Sequence, residues 1–230
     1  MADPQRSRVV TVDGPAGSGK STLGRRLAAA LQVPFIDTGL FYRALTLAAA
    51  RAGVAETDAA GLAGLARSVS IEVGTDPAEQ PRVRIDGEAV DADALHDPRH
   101  AALLATVSRT PAVRAALRPR QRALAQDGAV AAGRDCGTVV FPDAALKIYL
   151  DADAALRAAR RASQLRTRGA AVDVAVLDAE VRARDASDSS RADSPMRAAA
   201  DARVIDTGAL GIDEMVATAL AWCRERGLMP

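Results

Sequence analysis

Val12-Asp13-Gly14-Pro15-Ala16-Gly17-Ser18-Gly19-Lys20-Ser21-Thr22 packs three glycines around one lysine. Upstream, Arg8-Val9-Val10-Thr11-Val12 is a short β-branched run that reads as a buried strand. Downstream, Leu23, Leu27 and Leu31 recur on one face of a helix running from Lys20 to Leu31. Gly14 to Ser21 fits G-x-x-x-x-G-K-[ST], and a strand, a glycine loop and a helix in that order are the context a phosphate loop needs. Glycines let main-chain N–H groups turn inward without Cβ obstruction, and the helix start adds the positive end of its dipole. Gly14, Pro15, Ala16, Gly17, Ser18, Gly19, Lys20, Ser21 and Thr22 are therefore read as a nucleoside triphosphate site. Lys20 would supply a compact charge to the β- and γ-phosphates, and Ser21 a hydroxyl to Mg²⁺.

Composition supports this reading. The chain holds 28 arginines but only two lysines, Lys20 and Lys147. A sequence that otherwise builds its cations from arginine keeps lysine where a point charge is wanted. Lys147, on a strand without such a context, reads as a snorkelling edge residue. At 230 residues the chain supports one domain over 1–230, or one core domain with appended lobes. A chain of this size buries roughly 70–75% of its unfolded surface and needs no covalent staples. A formal net charge of +1 and 3% aromatics do not suit a nucleic-acid binder. Cys136 and Cys223 lack metal spacing and read as buried free thiols. No apolar run is long enough to span a membrane, and Met1-Ala2-Asp3-Pro4 does not begin a signal peptide, so a cytoplasmic location is expected.

Further along, Pro34-Phe35-Ile36-Asp37 reads as a second strand, followed by a helix through Tyr42 to Ala52 and another over Asp58 to Arg67. Ser70 to Val73, Arg82 to Asp86 and Glu88 to Val90 alternate apolar and polar residues around Asp86-Gly87, which predicts a small antiparallel insert over about residues 68–95. Helices resume near Pro98 and from Pro111 to Gln126. Core strands follow at Ala129–Ala132, Leu146–Leu150 and Arg203–Asp206. A charged helical stretch from Leu156 to Arg191 is broken at Thr167-Arg168-Gly169 and at Ser187–Ser190, and a last helix covers Ile212 to Arg226. Strands alternating with helices predict an α/β fold with a parallel sheet covered on both faces. Ligands then gather beyond the carboxyl ends of the strands, where the glycine loop, Asp37, Gly133-Arg134-Asp135 and Asp206 all fall.

No N-K-x-D segment points to a GTPase, and no apolar strand ends in Asp-Glu as in a motor. Arginine is spread instead over the middle and late thirds, as a kinase holding two anionic substrates requires. Four blocks then stand out. They are Asp37-Thr38-Gly39-Leu40-Phe41-Tyr42-Arg43, Pro111-Ala112-Val113-Arg114 with Arg120-Gln121-Arg122, the run from Gly133 to Ala144 (GRDCGTVVFPDA), and Arg184-Asp185-x-x-Asp188-x-x-Arg191. Together with the glycine loop they resemble the bacterial cytidylate kinase family over nearly the whole chain, the run from Gly133 being the most specific.

The resemblance implies a P-loop kinase three-layer fold with a five-stranded parallel sheet, a nucleoside-monophosphate-binding lobe carrying the antiparallel insert, and a mobile helical lid. The core would span about 8–37, 127–155 and 200–230, the lobe 38–126 and the lid 156–192. It implies a monomer that transfers a phosphoryl group from ATP, with Mg²⁺, to CMP or dCMP in pyrimidine nucleotide metabolism. It places Asp135 on the cytosine amino group, with Arg114 and Arg191 on the acceptor side of the base. Arg184 and Asp188 would hold the ribose, Arg43 and Arg134 the monophosphate, and Thr38 and Tyr42 would lie beside them. Asp37 would orient metal-bound water or the acceptor phosphate, and Arg160 or Arg161 would deliver charge to the transferring group. The other arginines, among them Arg118, Arg120, Arg122, Arg166 and Arg168, read as solvated helix faces, and His96 and His100 as surface residues.

Three positions depart from the family pattern. Ala132 stands where an acidic residue usually precedes Gly-Arg-Asp, Ala105 stands where a serine usually touches the base, and Leu40-Phe41 replaces a smaller pair before Tyr42. Ser108 or Thr106 could substitute for the missing hydroxyl. Two other readings remain open: a kinase for a different small acceptor, such as another nucleoside monophosphate or shikimate, and a nucleotide-binding module without turnover.

Overall fold

The computed structural model describes residues 8–167 and 172–230, apart from the side chains of Gln164 and Leu165. Met1-Ala2-Asp3-Pro4, Arg168 and Gly169 lie outside the described residues. Strand β1 (Val9–Asp13) is buried along its whole length and passes through the glycine loop into helix α1 (Lys20–Leu31). Strand β2 (Phe35–Asp37) leads into α2 (Thr38–Arg51), and α3 (Ala59–Ser68) follows. The insert is an antiparallel sheet of β3 (Ile71–Val73), β4 (Val83–Ile85) and β5 (Glu88–Val90), as the alternation predicts. The one-turn helix α4 (Ala92–Leu95) and a 3₁₀ turn at Pro98–His100 lead to α5 (Ala101–Arg109) and α6 (Pro111–Ala123). Next come β6 (Ala129–Gly133), a π-type turn at Cys136–Val140, β7 (Leu146–Asp151), α7 (Ala154–Thr167), α8 (Val174–Ser189), β8 (Arg203–Asp206) and α9 (Ile212–Glu225).

The main sheet has five parallel strands in the order β2-β6-β1-β7-β8. Its register brings Asp13 opposite Gly133 and Asp37 opposite Ala132, so three strand ends and the glycine loop share one rim. Val10, Val12, Ile148 and Leu150 pack under Leu23 and Leu27 of α1 and Met215 and Ala219 of α9. A fully buried leucine such as Leu27 contributes roughly 1.5–3 kcal/mol, so Leu27→Ala would loosen the helix that starts at the phosphate loop. A second core joins α2, α3, α5 and α6 to the insert sheet, through Phe41, Leu45, Leu62, Ile85, Val107 and Leu117. A loop of the insert also covers the sheet edge at β2, where Phe35 N–H donates to the Thr75 carbonyl at 2.8 Å.

Several expectations change. Lys147 is not an edge residue: β7 lies between β1 and β8, the residue is 9% exposed, and its ammonium pairs with Asp201 at 2.9 Å. Ser187 to Ser189 do not break the charged stretch but complete α8, whose end is held by Met196 N–H donating to the Asp188 carbonyl at 2.9 Å. Arg120 and Arg122 are not simple solvated residues. Arg120 donates to the carbonyls of Val69 and Arg67, and Arg122 to those of Val140 and Val139, because α6 lies across these segment ends. Arg118 pairs with Asp193 at 3.7 Å, while Arg166 and His96 are exposed and His100 is half-buried. Cys136 and Cys223 are buried free thiols. Among the described residues no helix is long and apolar enough to cross a membrane.

Candidate active site

The glycine loop has the backbone that its residues permit. Gly14 sits at φ 144°, and a Cβ there would lie 2.3 Å from the Leu150 carbonyl oxygen. Gly19 sets the start of α1 at φ 92°, and the first turn of α1 carries no acidic residue to offset the helix dipole. Lys20 is 8% exposed, and its ammonium donates to the Pro15 carbonyl at 2.5 Å inside the loop. Burial, followed by the nearby Arg134 charge, holds the Lys20 pKa well below the usual lysine range, with Asp37 and Asp13 opposing. An anion bound in the loop would favour the charged form. The Ser18 hydroxyl is buried, without a hydrogen-bond partner among the described residues.

Asp37 serves two neighbours. One carboxylate oxygen caps α2 by accepting from Gly39 N–H at 3.1 Å, and the other accepts from the Ser21 hydroxyl at 2.9 Å. The loop opens into a cavity of about 610 Å³ that continues past Thr22, Arg160 and Arg161 to Leu210, Ile212 and Met215. Arg160 is held there by two hydrogen bonds to Thr207, through its hydroxyl at 2.9 Å and its carbonyl at 2.6 Å.

The other predicted residues gather beyond β6. Asp135 and Arg114 form an ion pair at 2.5 Å, with 4% and 3% exposure. The Arg114 guanidinium lies 5.1 Å from the centre of the Tyr42 ring, and burial raises the Tyr42 pKa to about 12. Asp188 pairs with both Arg134, at 3.0 Å, and Arg191. Arg184 has its pKa lowered to about 10 by burial first and then by Arg134, with Arg43 and Arg161 adding to the effect. Arg43 donates to the Leu95 carbonyl at 3.0 Å. Thr38 differs from its neighbours: it is buried and its hydroxyl donates to the Ala132 carbonyl at 2.9 Å, holding β6 against α2.

Of the two hydroxyls that could replace the one missing at Ala105, Ser108 reaches the site and Thr106 does not. The Ser108 hydroxyl accepts from Arg191 at 3.1 Å, and the Ser108 carbonyl accepts from Arg114 at 3.0 Å. Thr106 turns to Glu56. Arg114 and Arg191 each keep a buried Nε–H that has no hydrogen-bond partner among the described residues. Buried ion pairs add little net stability, so a cluster this costly with donors to spare is better suited to a ligand than to the fold.

Asp13 was missed in the sequence, although a carboxylate ending an apolar strand is itself a signal. Its two oxygens accept from Cys136 N–H at 2.8 Å and Gly137 N–H at 2.7 Å, which moors the turn carrying Asp135 to the strand carrying the glycine loop. Burial raises the Asp13 pKa to about 6, against the pull of the two N–H groups. A raised carboxyl pKa means that the folded state holds its proton more tightly than the unfolded chain. Its contribution to stability is therefore fully present below about pH 4 and is lost as pH rises through about 6. Relative to Asp13→Asn, wild-type unfolding free energy should fall by about 3 kcal/mol over that window. Urea titrations of both proteins at pH 4 and pH 7 check this, and a constant difference would rule it out. Arg157, expected with the other arginines on a solvated helix face, is instead buried and pairs with Asp185 at 2.5 Å at the base of α7 and α8.

Residues 10–225 match the cytidylate kinase family. A cytidylate kinase of Nocardia farcinica is 45% identical over 210 residues, covering 90% of each chain. One from Rhodococcus jostii is 45% identical over 220 residues, covering 95% of each. One from Symbiobacterium thermophilum is 41% identical over 225 residues, covering 97% of this chain and 99% of its own. With the phosphate loop, the GRDCGTVVFPDA turn and the arginine cluster brought onto one rim, the chain belongs to the cytidylate kinase family.

Proposed function

We propose that the protein transfers the γ-phosphoryl group of ATP to CMP or dCMP, giving ADP and CDP or dCDP, as a step of pyrimidine nucleotide metabolism. The observation that carries this reading is the buried Asp135–Arg114 pair beside Arg191, with unpartnered Nε–H groups on both arginines. Cytosine offers an amino donor next to ring acceptors, and a carboxylate flanked by guanidinium groups matches that edge. Uracil would set a carbonyl oxygen against Asp135, which repels it.

The glycine loop and Lys20 take the triphosphate, while Arg43 and Arg134 take the acceptor phosphate as bidentate forks. Arg184 and Asp188 take the ribose. A phosphate oxygen of CMP attacks the γ-phosphorus as the bond to the β-phosphate oxygen breaks. Arg160 and Arg161 add positive charge beside the transferring group. Ser21 and Asp37 supply hard oxygens at 2.9 Å from one another, suited to Mg²⁺. Among the described residues no cluster of three acidic, histidine or cysteine side chains could cage an ion, and Mg²⁺ ordinarily takes phosphate and water for its remaining ligands. When bound, Mg²⁺ neutralises charge building on the phosphates. Residues 38–126 serve as the acceptor lobe and 156–192 as a lid over a core of 8–37, 127–155 and 200–230. A cytoplasmic location fits the free buried thiols, and the family resemblance suggests a monomer.

The test is ADP release with CMP, dCMP, UMP, AMP and shikimate side by side. CMP and dCMP should exceed every other acceptor in kcat/KM by about 10²-fold or more, since the mismatched base leaves buried polar groups unpaired. Equal turnover of UMP or AMP would refute the assignment of Asp135, and ATP binding without transfer to any acceptor would refute the enzyme.

Ser108→Ala bears on the same pocket. Removing one hydrogen bond to a charged partner should raise the CMP KM by roughly 10-fold with little change in kcat. A wild-type KM would remove Ser108 from the site.

A further inference from the structure

We infer that Arg157 and Asp185 are positioning residues that couple the triphosphate loop to the helix reading CMP, an inference that rests on the function proposed above. Arg157 is 4% exposed, and its three guanidinium nitrogens serve three different segments. Nε donates to the Ala152 carbonyl just after β7 at 3.0 Å, Nη1 to the Ala16 carbonyl of the glycine loop at 3.1 Å, and Nη2 to Asp185 of α8 at 2.5 Å. The Arg157 Cβ also lies 3.4 Å from the position a Cβ on Gly17 would take, so the contact with the loop extends beyond one hydrogen bond.

On the other side, Asp185 follows Arg184 directly and precedes Asp188 by one helical turn. Successive helical residues are fixed in rotation relative to each other, so anchoring the Asp185 carboxylate sets where Arg184 and Asp188 point. The second Asp185 oxygen is buried with no partner among the described residues, so this carboxylate depends on Arg157 for its compensation. Neither residue lines the cavity that opens from the glycine loop. Their effect has to be exerted through the loop and through α8.

A shared guanidinium makes the order of the two sites common property. When ATP orders the loop, α8 is ordered through Arg157, and CMP then binds at a lower entropic cost. Coupling of this kind is reciprocal.

Calorimetric titration of CMP into the full chain, with and without saturating AMP-PNP and Mg²⁺, measures it. Wild type should bind CMP about 5-fold or more tightly with the analogue present. Asp185→Asn and Arg157→Lys should each reduce that factor to nearly 1, with the analogue alone still bound. The double variant should lose no more than either single one, because the pair acts as a unit. Asp185→Glu, which keeps the charge, should restore part of the coupling. If Asp185→Asn does not fold, Arg157→Lys carries the test alone. Absence of coupling in wild type, or a wild-type factor in the variants, overturns the inference. Failure of CMP to bind or turn over would instead sink the proposed function, so the two failures are distinguishable.

Discussion

Lys20→Ala should lower kcat for ADP formation by on the order of 10²–10³-fold, the loss seen when one preorganised positive or hydrogen-bonding group is removed from a site of developing charge. The cause is local. Lys20 is the one cation inside the loop, and its ammonium rests on the Pro15 carbonyl at 2.5 Å, ready to turn toward a phosphate. The loop itself is built from main chain, so its conformation does not need the side chain. The fold should not suffer and should gain slightly. Burial lowers the Lys20 pKa, so carrying its proton costs more in the folded protein than in the unfolded chain. Deleting a group whose folded pKa is depressed relieves that cost at neutral pH. A thermal midpoint equal to or above wild type, together with the lost turnover, is the expected pair of results. Near-normal turnover would remove Lys20 from the chemistry.

Asp135→Asn is the second large effect. The kcat/KM for CMP should drop by on the order of 10²-fold or more, while that for UMP drops far less, so the CMP/UMP ratio collapses. The amide can present its NH₂ group to a uracil oxygen, which a carboxylate cannot do. The substitution also leaves Arg114 buried without the carboxylate it pairs with, and poorly compensated buried charges are costly. Some loss of stability is therefore expected. The CMP/UMP ratio is measured on folded enzyme and is insensitive to that loss, which makes it the decisive readout. An unchanged ratio would show that Asp135 does not read the base.

Much of the site was legible because its pieces are local. The phosphate loop is set by glycines at positions where only glycine fits, followed by a helix with leucines every four residues. The insert was legible from its alternation around Asp86-Gly87, where both residues take positive φ. Asp135, Asp188, Arg114 and Arg191 were legible from their blocks, but their partners were not. Nothing in the sequence says that Arg191 shares Ser108 with Arg114, since Ser108 and Arg191 lie 83 residues apart. Asp13 was overlooked because a carboxylate at the end of a strand takes its meaning from the turn placed over it, here Cys136 and Gly137.

The amino-acid sequence by itself determined the strand, the glycine loop and the helix that follow one another at the start of the chain, because backbone conformation and helical period are short-range properties. Through the family resemblance it also singled out the carboxylates and arginines that the fold brings together, Asp135, Asp188, Arg114 and Arg191. The strand order, and hence which charges meet, was decided only by tertiary structure. Val9 of β1 pairs with Ala129 of β6, and Val10 with Leu146 of β7, so each partner lies more than a hundred residues away. Lys147 became an inner residue for the same reason: β8, the last strand in the chain, packs outside β7. Electrostatics depends on distance and burial, and neither is set until the sheet is assembled. That is why the mooring by Asp13, the choice of Ser108 over Thr106 and the pairing of Arg157 with Asp185 are visible only in the folded molecule.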